Sequence, residues 1–169
     1  VLRLNGYNTA AFGKMHQTPP WETSPSGPFD RWPTGVGFEK FYGFLGGDCS
    51  QYAPPLYDGT TPIDPPRTAE EGYHLSEDLV DQVIAWTRTL HSLTPDKPWF
   101  TYLSFGATHA PHQAPAEWIE KYRGAFDHGH DHQHEITYTR QKELGVIPQD
   151  AELTRPTDWI PPWNDLTDD

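Results

Sequence analysis

Cysteine is nearly absent from this chain of 169 residues. Its single copy, Cys49, has no internal partner, so no disulfide framework holds the fold. Positive charge is scarce too: 12 Lys and Arg stand against 24 Asp and Glu, a formal net charge of −12. That balance argues against a nucleic-acid partner, whose phosphates it would repel rather than neutralise. No unbroken apolar run approaches the roughly 18 residues of a membrane helix, so no membrane partner is expected. No internal repeat is visible. The chain opens at Val1 with no signal-like apolar stretch behind it, and a truncated or processed start is the expectation.

What the sequence has in quantity is 18 Pro, 14 Gly and 7 Trp. So much Pro and Gly predicts long irregular segments. The Trp residues predict that these segments are pinned by aromatic anchors rather than disordered. With 35% hydrophobic residues, the chain can fill the core of one domain.

Residues 1–4 read as the tail of a helix, with Asn5-Gly6 as a left-handed stop. Residues 7–12 read as a short strand of aromatic, Thr and Ala residues, ending at Gly13-Lys14-Met15-His16. Residues 17–66 show no helical period. Within them, residues 35–47 set Phe38, Phe41, Tyr42 and Phe44 among glycines, and are expected as an ordered loop whose rings take cover on the domain. Residues 76–93 predict a helix: Ser76 caps it, Glu77 and Asp78 suit its positive end, and Leu79, Val83, Trp86 and Leu90 share one face. Leu75 is placed to staple onto Val80. Residues 99–105 read as a buried strand, residues 106–115 as a loop, and residues 116–123 as a short helix closed by Gly124. After Gly145 no regular structure is expected. Strand, long helix and strand in this order predict a right-handed parallel α/β topology.

Two groups of ionisable residues fall just past the carboxyl ends of predicted strands, the edge where open α/β sheets bind ligands. One is Lys14 and His16, two residues apart, so both can point at one ligand. The other is Thr108-His109-Ala110-Pro111-His112. A Lys ammonium suits an anion, and a His moves protons near neutral pH. Taken singly, each is better read as an ordinary surface or hydrogen-bonded group.

The full string decides otherwise. Gly6-Tyr7-Asn8-Thr9-Ala10-Ala11-Phe12-Gly13-Lys14-Met15-His16 resembles the second signature of the sulfatase family, Gly-Tyr-x-Thr-x-x-x-Gly-Lys-x-His. Residues 37–47, 73–79, 97–100 and 106–112 are similar to stretches of bacterial arylsulfatases, and the likeness fades in the Pro-rich tail. The resemblance implies an alkaline-phosphatase-like α/β domain, with a mixed, mainly parallel sheet flanked by helices and residues 1–169 forming part of it. It implies a small-molecule sulfate ester as substrate and a soluble, cytoplasmic enzyme. Lys14 resembles the lysine that binds the sulfate group and steadies the nucleophile. His16 resembles the histidine that hydrogen-bonds the hydrated formylglycine nucleophile. His109 resembles the histidine that contacts the ester and assists the leaving oxygen, and His112 is close enough in sequence to join the substrate site or to fix the loop.

The departures are as informative. The family's Cys/Ser-x-Pro-x-Arg nucleophile string does not occur here, and Cys49-Ser50-Gln51-Tyr52 is not a version of it. The aspartates that hold the family's divalent cation, usually Ca2+, and its later catalytic lysine have no counterpart. The formylglycine is therefore expected upstream of Val1, and the Ca2+ ligands upstream of Val1 or past Asp169. A phosphonate or phosphate ester hydrolase of the same superfamily is an alternative, against which the string from Tyr7 to His16 favours sulfate. A different class of reading starts from His128-Gly129-His130-Asp131-His132-Gln133-His134-Glu135. Alternating histidines on an extended segment suit Zn, Ni or Cu and would make a non-catalytic, metal-associating module. The segment is expected as a solvated polar loop rather than a structural metal site.

Overall fold

The structure is a computed structural model that describes residues 1–167. The chain divides into two compact units, residues 1–115 and a second from Ala116 onward.

The first unit is built on a five-stranded sheet: β1 (Asn8–Lys14), β2 (Lys40–Phe44), β3 (Leu56–Asp58), β4 (Thr61–Ile63) and β5 (Trp99–Ser104), in the order β4-β3-β2-β1-β5. β2, β1 and β5 are parallel, and β3 and β4 add an antiparallel margin. With the helix α1 (Leu75–Leu93) between β4 and β5 in sequence, this is the expected α/β fold with a mixed sheet.

β1 is the innermost of the parallel strands, and its residues from Thr9 to Gly13 are all buried. Alternation sorts them onto two faces. Ala10 and Phe12 join Tyr42, Phe44, Leu56, Leu75 and Leu79 beneath α1, with Val83 and Trp86 at the margin. Ala11 and Met15 join Phe41, Leu45 and a fully buried Trp32 on the other face. The segment of residues 17–38, with a 3-10 turn at Pro20–Glu22, packs on that second face. Trp32 anchors the loop, its Nε1 donating to the Glu22 carbonyl and its ring meeting Phe29 and Tyr57 edge-on at centroid distances of 5.2 and 5.0 Å. The aromatic pinning expected of the Pro/Gly-rich segment is thus present.

Several expectations need correction. The aromatic–glycine stretch is not a loop: Lys40–Phe44 is β2, whose rings alternate between the two faces. β1 runs to Lys14 rather than ending at Phe12. Residues 3–5 form only a 3-10 turn, though Gly6 does close it at φ +89°. His74, not Ser76, caps α1, its Nδ1 accepting from the Ser76 amide at 3.3 Å. Leu75 therefore lies inside the first turn and is buried while Val80 is exposed, so the expected staple does not form. Among the described residues β5 pairs only with β1 and is an edge, leaving Trp99, Phe100 and Tyr102 39–48% exposed instead of buried.

In the second unit α2 (Ala116–Lys121) is followed by α3 (Gly129–Glu143). The histidine-rich segment expected as a loop is the first half of α3. Asp131 in its first turn and Arg140 and Lys142 in its last complement the helix dipole, and Gly145 at φ +69° follows its end. Beyond it the described residues are irregular apart from a 3-10 turn at Trp163–Asp165. Among the described residues no helix is long and apolar enough to cross a membrane.

One buried polar cluster ties α1 to the sheet. The Asp78 carboxylate, 4% exposed, accepts from the Tyr42 hydroxyl at 2.6 Å and the Tyr73 hydroxyl at 2.9 Å. Burial and the Asp78 charge push both phenols well above their ordinary range. The unfolded chain releases these protons near pH ~10 while the folded chain keeps them. Folding stability from this pair is therefore complete below that pH and is lost as pH rises above it, by about 1.4 kcal/mol per pH unit for each phenol. Urea melts from pH 9 to 11.5 should show a midpoint falling above pH 10, with a shallower fall in Tyr73→Phe. Parallel profiles for the two proteins would show that the cluster is not closed.

Candidate active site

The three parallel strands end level with one another. Lys14 is registered with Phe44, and Gly13 with both Gly43 and Ser104. Their carboxyl ends release three loops side by side: Lys14 is the last residue of β1, His16 lies on the loop after it, and His109 and His112 lie on the loop after β5.

Two glycines make the edge this close. Gly13 has φ +98°, and a Cβ there would stand 1.9 Å from the Ser104 carbonyl oxygen. A Cβ at Gly43 would stand 2.1 Å from the Gly13 carbonyl oxygen. Only bare backbone fits between these strands, and Lys14 follows directly.

Lys14 is half-buried and His16 exposed. Together with Met15, Gln17, Tyr102 and Ser104 they line a cavity of about 260 Å³. The His16 ring lies against Gly47, where a Cβ would be 2.7 Å from its Cε1. His16 also borders a second cavity of about 340 Å³ with Gly47 and Tyr57.

His109 and His112 are exposed on the loop after β5 and line a separate pocket of about 200 Å³. The Nδ1 of His109 is 2.9 Å from the Ala110 carbonyl oxygen and 3.9 Å from an Asp48 carboxylate oxygen. A carbonyl only accepts, so Nδ1 carries a hydrogen and Nε2 is the nitrogen left for a ligand. The loop is anchored by Gln113, whose Oε1 accepts from the Gln51 amide at 2.8 Å and whose carbonyl lies 3.4 Å from His74 Nε2.

The structure thus does not put all candidates in one cavity. Lys14 and His16 share one, and His109 and His112 share another. The loop after β2 runs between them: Gly47 against His16, Asp48 beside His109, and Cys49 close enough to Lys14 to feel its charge. Burial and the Asp48 carboxylate push the Cys49 thiol up to about 11, with Lys14 partly offsetting them. Cys49 is a protonated thiol at neutral pH, not a nucleophile. Asp48 and Gln113 escaped the sequence reading, because a lone Asp in a glycine-rich loop and a lone Gln carry no spacing signal.

A family model described as Sulfatase matches residues 1–159. The chain belongs to the sulfatase family. This sulfatase-family chain is 31% identical over 158 residues to an arylsulfatase of Klebsiella aerogenes, an alignment covering 88% of the chain and 31% of that protein. It is 30% identical over 189 aligned positions to an uncharacterised sulfatase of Schizosaccharomyces pombe, covering 99% of the chain and 31% of the relative. The chain therefore spans about a third of the length of these relatives. In fold it is similar to the crystal structure of Ps i-CgsB in complex with k-i-k-neocarrahexaose, with TM-score 0.56 and 23% identity over 72% of this chain and 28% of that one.

Proposed function

We propose that this chain supplies one part of the active site of an arylsulfatase, which hydrolyses a sulfate ester to a phenol or alcohol and sulfate. The observation that supports this most is the string from Gly6 to His16. Its strand delivers Lys14 to the carboxyl edge through a glycine contact that admits no side chain. In this reading the Lys14 ammonium holds a nonbridging sulfate oxygen, where negative charge gathers as the ester cleaves. His16 hydrogen-bonds the nucleophile, a formylglycine outside these residues. His109, as imidazolium, donates the Nε2 proton to the departing oxygen. Asp48 and the Ala110 carbonyl hold the other ring nitrogen.

The family's Ca2+ does not fit the donors gathered here. Ca2+ takes six to eight oxygens, and this edge presents an ammonium, imidazoles and the Asp48 carboxylate. Among the described residues no group of three or more His, Cys, Asp or Glu side chains is placed to hold an ion. The cation's ligands, like the nucleophile, belong to other parts of the protein in this reading, and no role of Lys14, His16 or His109 runs through it.

Two tests follow. The purified chain should show no hydrolysis of a chromogenic aryl sulfate, since Lys14 and His109 have no nucleophile to assist. Specific turnover would overturn the placement of the nucleophile outside these residues. The coding sequence around this segment should carry a Cys/Ser-x-Pro-x-Arg string in frame, and an intact frame without one would overturn the hydrolase reading itself.

A further inference from the structure

We propose that His128 and His132 form a chelating pair for a borderline divalent transition ion, Cu2+ above all, at the N-terminal end of α3. His128 is the cap residue that precedes α3, and His132 lies four residues on, in its first turn, so the pair flanks the start of the helix. Their rings are already in contact, with centroids 5.3 Å apart and planes at 90°. Both are exposed, so an ion reaches them with water completing its coordination.

The neighbours prepare the donor atoms. Glu135 Oε2 lies 3.4 Å from His132 Nδ1, so the carboxylate takes the Nδ1 hydrogen and leaves the Nε2 lone pair for a metal. A carboxylate behind a histidine ligand is the usual outer support of a metal-bound imidazole. On His128, Nε2 is 2.8 Å from the Gln133 amide oxygen, which leaves Nδ1 free.

The same segment contains a second pair at this spacing, His130 and His134, and the structure separates the two. His130 Nε2 is 3.2 Å from the Pro161 carbonyl oxygen, and its ring meets Trp163 edge-on at 5.8 Å. That ring is committed to holding the 3-10 turn against α3. Two imidazoles and no third protein ligand select by the general order of divalent affinities, which puts Cu2+ above Ni2+ and Zn2+ and gives Ca2+ nothing hard to bind. The inference rests on the second unit alone and is independent of the sulfate-ester reading.

The test is calorimetric titration of the tag-free chain with Cu2+, Ni2+, Zn2+ and Ca2+, alongside His128→Ala, His132→Ala, His130→Ala and His134→Ala. One equivalent of Cu2+ should bind, with two nitrogen ligands in the electron paramagnetic resonance spectrum. His128→Ala and His132→Ala should each weaken binding at least ~10-fold, since loss of an outer supporting group alone commonly weakens a site that much. His130→Ala and His134→Ala should leave it within about twofold. Helical circular dichroism of each variant separates lost ligands from a lost helix. Equal losses across all four variants, or no saturable binding, would overturn the proposal.

Discussion

In the full-length enzyme, replacing His109 by alanine is expected to lower kcat ~100-fold or more, the loss typical of a positioned proton donor. The loss should depend on the substrate. An alkyl or poorly activated aryl sulfate needs its departing oxygen protonated, so it should suffer most. An activated aryl sulfate, whose phenolate leaves unaided, should suffer least. Lys14→Ala should behave differently: it removes charge from the sulfate itself, so its effect should be nearly independent of leaving-group basicity. A series of aryl sulfates of graded phenol acidity, assayed with both variants, reads the two patterns. Equal sensitivities would assign the acid role to another residue. Lys14 and His109 border different cavities, so each substitution leaves the surroundings of the other residue in place.

The other large effect is on the fold. Gly13→Ala should cost about 3 kcal/mol or more, a large part of the 5–15 kcal/mol that stabilises an ordinary domain. Two penalties combine: a side chain at φ +98°, and a Cβ driven 1.9 Å from the Ser104 carbonyl oxygen. Gly59→Ala separates them. Gly59 also has positive φ, at +63°, but nothing lies within 4 Å of its Cβ position, so it should lose only about 1 kcal/mol. Denaturant midpoints of the two variants give the comparison. If Gly13→Ala is no worse than Gly59→Ala, β1 and β5 do not approach as closely as described.

The legible parts of the sequence were those where one physical signal acted alone. α1 was readable because its apolar positions repeat at helical spacing and its acids precede them. β1 was readable as a run of small and aromatic residues ending on a motif. β2 was hidden by its glycines, which argue for a loop until Gly43 is seen to face the Gly13 backbone. The exposure of β5 was illegible because an edge strand and a central strand share the same aromatic, β-branched composition; only the count of neighbours tells them apart. In α3 alternating histidines imitate a strand, and the helix-forming stretch from Gln133 to Glu143 overrides them. At the candidate site, Lys14, His16 and His109 were found through spacing. Asp48 was not, since its relation to His109 exists only after β2 and β5 are brought to the same edge.

The order of the sheet also constrains how the chain can be made. β1 is made before the other strands of this sheet, yet one of its two hydrogen-bonded neighbours is β5, which begins at Trp99. A nascent chain that has completed β2, β3 and β4 still carries β1 with one bare edge, and α1 has no finished sheet to lie on. Through that interval the strand bearing Lys14 is open to pairing with any other extended segment nearby. The strand that organises the finished domain is thus the one that waits longest for its last partner, which makes the arrival of residues 99–104 the step that commits the unit to its native topology.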